Sequence, residues 1–428
     1  MRVNLKPAPE NDFPLFIKTY YDECKTRFSK IEAIAGKWEF EDLIPGLSDF
    51  DSRYICSDDM TSSDWCKMSM VVGQVHLDLC SRFPQWIRIL EHLPGINLTW
   101  NEFEDEFTYY PEYKQWSFYH TSNQHRLNKA ISRIESRTWD KKDEYFHLKK
   151  FLAYYCPYDR KVDIPINLDG YLDKYLLHSR VMHYFNPPVQ SAVSLIHKKT
   201  IRGKKESFRI ADRLFFDSDI FREILNLIDS HYERPSLYEE GNLSLLEGRM
   251  FAVLKKLSGD ISKHLFLILD PKNTGIQEWK NHFRDIKMDP ALVVFENAKF
   301  SRLMKGRLYF YVSAPEYFDN IALIRNELNR IGKNFFREPF SIYWQLETGE
   351  KIEDPSIILN NLSNILNKDE IDCTLKFDKL TKLDYTGREK EIARSIIDVY
   401  DGFYCALHKI TEQVKSQVGK NENKSVSL

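Results

Sequence analysis

The chain has 428 residues, more than one hydrophobic core usually organises, so two or three domains are expected. Apolar residues make up 43% and charged residues 29%, which excludes a disordered or fibrous chain. Its 61 basic and 63 acidic residues nearly cancel, so no global field exists to hold duplex DNA, and a nucleic-acid partner is not expected.

In chain order, Phe13 to Lys30 carries Leu15, Phe16, Tyr20, Cys24 and Phe28 at helical spacing, and predicts a helix packed by one face on a sheet. Ile31 to Lys37 reads as a strand. An acidic connection and the turn signal Pro45-Gly46 follow, then a second strand from Ser48 to Cys56. A long helical pattern runs from Ser62 to Leu93 through Met68, Val72, Leu79 and Leu90, with a break at Pro84, and closes at Pro94-Gly95. Ile96 to Phe103 reads as a third strand, and the aromatic segment Phe107 to Tyr119 leads away from it. These elements form a first domain over residues 1–113.

Residues 114–263 show recurrent helical periodicity, as in Tyr171 to Tyr184 and Ile220 to Ile228, with breaks at Pro187-Pro188 and Arg202-Gly203, and predict an all-helical second domain. In residues 264–412 the apolar runs Leu265 to Leu269, Ala291 to Phe295 and Leu308 to Val312 alternate with helical stretches such as Glu316 to Ile331. That pattern predicts a mixed α/β third domain, followed by a polar tail over 413–428. The expected class is therefore α+β. The seven cysteines lack any CxxC pair, no apolar run reaches the ~18 residues of a membrane span, and MRVNLKPAPE lacks a signal-peptide core. A soluble cytoplasmic protein without a membrane partner is expected.

The stretch AIAGKWEFEDLIPGLSDFDSRYI, Ala33 to Ile55, is the informative one. Side chains alternate along a strand, so Asp49 and Asp51 point one way while Phe50 points into the core. Two adjacent carboxylates repel, and a divalent cation removes that cost. Mg²⁺ commonly takes one or two carboxylates together with phosphate oxygens. Arg53 shares the face of Asp51, where it either pairs with that acid or touches a phosphate. His178 and His183 stand five apart and do not form a zinc pair on one helix face. The run HKKTIRGKKESFR, His197 to Arg209, is the densest basic segment, readable as a triphosphate holder or as a solvated loop. Tyr109, Tyr110, Tyr113, Trp116, Phe118 and Tyr119 either stack a base or sugar or form core.

A glycine ending one strand, followed by an Asp-x-Asp on the next, resembles the signature of the nucleotidyltransferase superfamily, the polymerase-beta-type fold. Aminoglycoside nucleotidyltransferases and template-independent nucleotide-adding enzymes belong to it. The resemblance covers roughly residues 14–105 and places Gly36 at the glycine that lets backbone N–H groups approach the triphosphate. It implies that Asp49 and Asp51 hold Mg²⁺ and that Gly36, Lys37, Ser48 and Arg53 contact the nucleotide. Lys37 stands where the family usually has Ser. The family's third carboxylate lies on the strand after the long helix, where this chain offers Asn97 and Thr99, with Glu102 as the nearest acid, then Asp105 and Glu106. Glu102 is the candidate third ligand or general base, or else part of a solvated loop. The implied activity is transfer of a nucleoside monophosphate from an NTP, ATP foremost, to a small-molecule acceptor under the helical domain. The alternative is a catalytically degraded nucleotide-binding or interaction protein on the same fold.

Overall fold

A computed structural model describes residues 12–37, 42–43, 49–87, 89–90, 93–155, 186–214, 219–230, 249, 253, 289–314, 320–331, 337–352 and 354–425. Helix α1 (Asp12–Arg27) leads into strand β1 (Ile31–Gly36), which pairs antiparallel with β2 (Ser52–Cys56). Helix α2 (Ser62–Arg82) then crosses over to β3 (Asn97–Thr99), which lies parallel to β2. α2 begins at a capping box in which Thr61 and Asp64 satisfy each other's backbone N–H groups. It ends before Pro84, whose ring would clash with the preceding turn. After the short helix α3 (Trp100–Glu104) and a 3₁₀ turn (Pro111–Gln115), β4 (Ser117–Thr121) adds antiparallel to the free side of β1. The sheet order is β3-β2-β1-β4.

The two faces of this mixed sheet bury different sets of side chains. Ile34, Tyr54 and Cys56 pack with α1 and α2, whereas Ala33, Ala35, Ile55 and Leu98 pack with Trp100, Phe103, Tyr113, Trp116 and Leu127. The second set takes most of the aromatic cluster: Phe103 and Trp116 stack with ring centroids 5.8 Å apart, and Tyr113 lies 4.7 Å from Trp116. These rings are core and not a stacking platform.

Beyond β4 the described residues are helical: α4 (Gln124–Ser136), α5 (Lys141–Tyr155), α6 (Asn186–His197), α7 (Lys204–Leu214), α8 (Ile220–Ser230), α9 (Pro290–Ser301), α10 (Met304–Ser313), α11 (Asn320–Arg330), α12 (Arg337–Thr348), α13 (Pro355–Asn360), α14 (Lys368–Thr381) and α15 (Glu389–Ser425). The expected C-terminal α/β domain is thus corrected to helices. Ala291 to Phe295 and Leu308 to Val312 lie within α9 and α10, and no strand follows residue 121 among the described residues. A short apolar run is ambiguous between a buried strand and a helix buried on several sides, and α10 is of the second kind, with Met304, Leu308, Phe310 and Tyr311 all buried. Leu265 to Leu269 and Tyr171 to Tyr184 lie outside the described residues. α15 runs on to Ser425, through the stretch read as a polar tail. Among the described residues no helix is long and apolar enough to cross a membrane.

The C-terminal helices share one core with the sheet. Leu308 and Phe310 of α10 and Tyr400 and Tyr404 of α15 join the cluster that holds Tyr54 and Val72. α2 and α10 cross at two glycines. A Cβ at Gly73 would sit 2.8 Å from the Gly306 carbonyl oxygen, and one at Gly306 would overlap the Ser69 carbonyl. Gly306→Ala gains about 1 kcal/mol of helix propensity but sets that against a backbone clash that no rotamer relieves. The clash is expected to win, lowering stability by about 1–3 kcal/mol. Thermal and denaturant unfolding of this variant measure it, and an unchanged midpoint would mean the crossing is looser than described.

Candidate functional site

β2 begins at Ser52, so Asp49 and Asp51 lie in the turn ahead of the strand and not on it. The Ser52 N–H donates to the Phe50 carbonyl at 2.8 Å, which makes a tight reversal around Asp51. Phe50 is buried as expected, while both aspartates are half-buried at the sheet's end. The Lys37 N–H donates to the Asp51 carbonyl at 3.2 Å, extending the β1–β2 pairing one step and setting Lys37 beside the acids. Ser48 lies outside the described residues.

Gly36 pairs with Ser52 on one side and Ser117 on the other. A Cβ there would come within 2.7 Å of the Phe50 ring and 2.8 Å of the Tyr119 ring. Those two rings account for the glycine by packing alone.

Arg53 is buried and takes Glu112 as its hydrogen-bonded counter-charge, with Asp51 adding to its stabilisation only through its charge. Its Nε and Nη2 donate to Glu112 Oε1 at 3.0 and 2.9 Å, and its Nη1 donates to the Ser52 carbonyl at 2.9 Å. Gly95 packs flat on the guanidinium, where a Cβ would fall 2.9 Å from Arg53 Cζ. Trp116 Nε1 donates to Glu112 at 3.2 Å, and Lys150 Nζ of α5 lies 3.9 Å from its other oxygen. Burial alone would raise the Glu112 carboxyl, but Arg53, Lys150 and Lys37 outweigh burial and hold it down at about 2. Burial, with Lys37 beside it, pushes the Lys150 ammonium far below its ordinary value.

The basic run folds onto this end of the sheet. Asp42, itself buried, accepts the N–H groups of Lys204 and Lys205 at 2.8 and 3.1 Å and so caps α7. Gly203 makes the cap possible with φ +85, a left-handed backbone that suits glycine. Arg202 Nη2 donates to the Trp116 carbonyl at 3.0 Å and to Ser117 Oγ at 3.2 Å, tying the loop to β4. Lys204 is buried, which lowers its pKa, while Asp49, Asp42 and Asp51 favour its charge. The two candidate carboxylates therefore act on one buried lysine.

Glu102 belongs elsewhere, a correction to its expected role as third acid. β3 runs parallel to β2, with Cys56 opposite Thr99, so Glu102 emerges beyond the far end of the strand that Asp51 precedes. Five residues of strand separate those ends, roughly 16 Å. There Glu102 caps α3, accepting the Thr99 N–H at 2.9 Å, and takes both terminal nitrogens of Arg302 at 2.6 and 2.7 Å. The Arg302 guanidinium also lies 4.1 Å from the Trp65 ring centroid. Burial works against the Glu102 charge, but Arg302 and Lys415 hold its pKa well below the usual carboxylate range. A cleft of about 500 Å³ opens around this pair, beside His408 and Lys415. Opposite Tyr54, β3 offers Asn97, whose amide is spent on the Tyr54 N–H and the Gly95 carbonyl. Asp105 and Glu106 are likewise engaged on that side, with Thr108 and with Arg133 and Arg137. A second cleft, of about 270 Å³, runs beside β4 between Phe118, Leu127, Ile131 and Arg202.

Glu112, Asp42 and Lys150 are absent from the residues expected from the sequence, and Lys204 enters there only as one member of the basic run His197 to Arg209. Glu112 carried a usable signal: an acid inside an aromatic run becomes buried and then requires a cation. Among the described residues no group of three or more His, Cys, Asp or Glu side chains is placed to hold a metal ion. Two hard carboxylates at a half-open turn nevertheless fit Mg²⁺ held jointly with phosphate oxygens, which needs no third protein ligand. Comparison with protein-family models, curated proteins and solved structures finds no match to this chain.

The Arg53–Glu112 pair makes a measurable claim. Glu112→Gln leaves a buried guanidinium without its counter-charge and is expected to cost about 3–5 kcal/mol. The folded carboxyl titrates at about 2, below its unfolded value of about 4.3. Its stabilisation is therefore complete above pH ~4.3 and lost as pH falls toward 2. Urea midpoints from pH 7 to 2.5 should show a steep acid loss in the native chain that Glu112→Gln lacks. Parallel pH profiles would contradict the pair's role.

Proposed function

We propose that this chain binds a magnesium-complexed nucleoside triphosphate where β1 ends and β2 begins, on a nucleotidyltransferase-type scaffold that has lost the third carboxylate of the family. The observation that carries the reading is the convergence of chain segments at this end of the sheet: Asp42 accepts the backbone N–H groups of Lys204 and Lys205 at 2.8 and 3.1 Å, and Lys204, buried some 150 positions from Asp49 and Asp51, feels the charge of both. Taking a lysine out of water costs stability that neighbouring acids only partly offset, and a binding function is one reason to keep such a charge buried. A metal–triphosphate complex uses both signs of charge, the carboxylates through the cation and the lysines through the phosphate oxygens. The strand, helix and strand order of β1, β2, α2 and β3 agrees with the resemblance. The polar neighbours of β2 on β3 do not supply an acid, which favours binding without turnover.

A second reading, transfer of the nucleoside monophosphate to a small-molecule acceptor, is favoured by Glu112. This third carboxylate does reach the same end of the sheet, from the turn before β4 in place of β3. The cleft beside β4 would then receive the acceptor. Mg²⁺ would supply charge neutralisation at the phosphates, while Lys37, Lys150 and Lys204 orient the triphosphate.

The experiment is a melting series with each of the four NTPs, with and without Mg²⁺. At a hundredfold excess over Kd, a ligand specific to the folded chain adds about 2.7 kcal/mol, an easily read shift. Asp51→Asn should abolish that shift. Its ligand-free stability should move by less than about 1 kcal/mol, because Asp51 is half-exposed and its attraction to Lys204 offsets its repulsion from Asp49. Pyrophosphate release from the NTP that binds separates transfer from binding alone. No shift with any nucleotide, or an Asp51→Asn variant that keeps it, would refute the proposal.

A further inference from the structure

Two thiols meet where α2 starts. Ser62 and Cys66 stand four apart and so share one face of α2, as Asp401 and Cys405 share one face of α15. The two faces oppose each other. Cys405 Sγ lies 3.4 Å from Ser62 Oγ, and the Cys66 thiol hydrogen-bonds with the Cys405 sulfur and with the Asp401 carboxylate. Lys305 Nζ of α10 holds that carboxylate at 2.7 and 2.8 Å. Cys66 is buried, whereas Cys405 is partly exposed. Ser62 is the first residue of a 21-residue helix, whose N-terminal N–H groups favour a neighbouring anion. The hydrogen bonds of Cys66 and then of Ser62 lower the Cys405 pKa against burial, while the same contact and burial raise that of Cys66. One thiol is thus prone to ionise and the other to stay protonated. Cys373 of α14 is also partly exposed, but burial raises its pKa and it packs against Gly402.

We propose that Cys405 is a peroxide-reactive cysteine and that Cys66 resolves it into a disulfide joining α2 to α15, a site independent of the nucleotide reading. The Cys405 thiolate attacks one oxygen of hydrogen peroxide. The O–O bond breaks, the second oxygen leaves as hydroxide and takes up a proton to become water, and Cys405 becomes a sulfenic acid. Cys66 passes its proton to Asp401 and attacks the Cys405 sulfur. The S–S bond forms, the S–O bond breaks, and the departing hydroxide takes that proton and leaves as water. In all, the two thiols lose two electrons and two protons, and the peroxide is reduced to two molecules of water. Exchange with an external thiol reverses the link.

The test treats the reduced full-length chain with stoichiometric hydrogen peroxide, blocks the remaining thiols and maps every cysteine by mass spectrometry. The native chain should yield a Cys66–Cys405 cross-linked peptide that dithiothreitol removes. Cys405 should be consumed about tenfold or more faster than Cys373, as a thiolate is against a thiol. Cys66→Ala should leave Cys405 as a sulfenic acid that dimedone traps, and Cys405→Ser should leave Cys66 reduced. Should Cys66→Ala fail to fold, the native mapping and Cys405→Ser decide by the same outcomes. Cys405 that stays reduced while Cys373 reacts, a link from Cys405 to any cysteine other than Cys66, or a native Cys405 oxidised to sulfinic acid beside an intact Cys66 thiol would overturn the proposal.

Discussion

A guanidinium taken out of water needs an anion, and Arg53 has one within reach in Glu112. The order of the candidate site follows from that pairing. Arg53 sits on β2 and Glu112 on the turn before β4, so the pair spans the β1 strand between them and holds the sheet's end in register. Lys150 brings α5 to the same carboxylate, and Arg202 and Asp42 bring the start of α7 against β4. Segments far apart in the chain converge because each supplies a charge that another needs. Asp42, Asp49, Asp51 and Glu112 face Lys37, Arg53, Lys150 and Lys204, so the end is balanced without ligand. On the proposed function, a metal–triphosphate complex, carrying both signs of charge, would exchange with these partners without leaving either sign exposed.

The opposite end of β2 and β3 solves the same problem with Glu102, Arg302 and the Trp65 ring. Arg302 lies between α9 and α10 and also donates to the Asn97 carbonyl at 2.7 Å. That contact fastens the C-terminal helices to the sheet, and the crossing of α2 and α10 at Gly73 and Gly306 closes it from the other side. Both ends of the small sheet are thus pinned by buried ion pairs. One pair belongs to the architecture, and the other adjoins the half-exposed aspartates.

The first elements were legible because their periodicity is strong. Phe16, Tyr20 and Cys24 repeat at helical spacing and do face the core, and α2 stops where Pro84 requires it to. The C-terminal runs were not legible, since Leu308 to Val312 is apolar on all sides in a helix that others surround, and period gives no answer there. At the candidate site, local spacing singles out Asp49, Asp51 and Lys37, which the structure sets together where β1 ends and β2 begins. Glu102 was misplaced because the direction of β3, parallel to β2, is a tertiary fact that carries residues after the strand away from the acids. Glu112, Lys150 and Lys204 depend on long-range pairing. A single sequence shows such a residue only as an acid among aromatics or a lysine in a basic run.

The central claim is that Asp49 and Asp51 hold a divalent cation together with a nucleotide triphosphate. Water proton relaxation reports this directly, with Mn²⁺ in place of Mg²⁺. A Mn²⁺–ATP complex tumbles fast when free and slowly when bound to a chain of 428 residues. Addition of the native chain should raise the relaxation enhancement of Mn²⁺–ATP, and addition of the Asp49→Asn, Asp51→Asn double variant should leave it at the value for Mn²⁺–ATP alone. An enhancement that never rises, or one that persists in the double variant, would contradict the account.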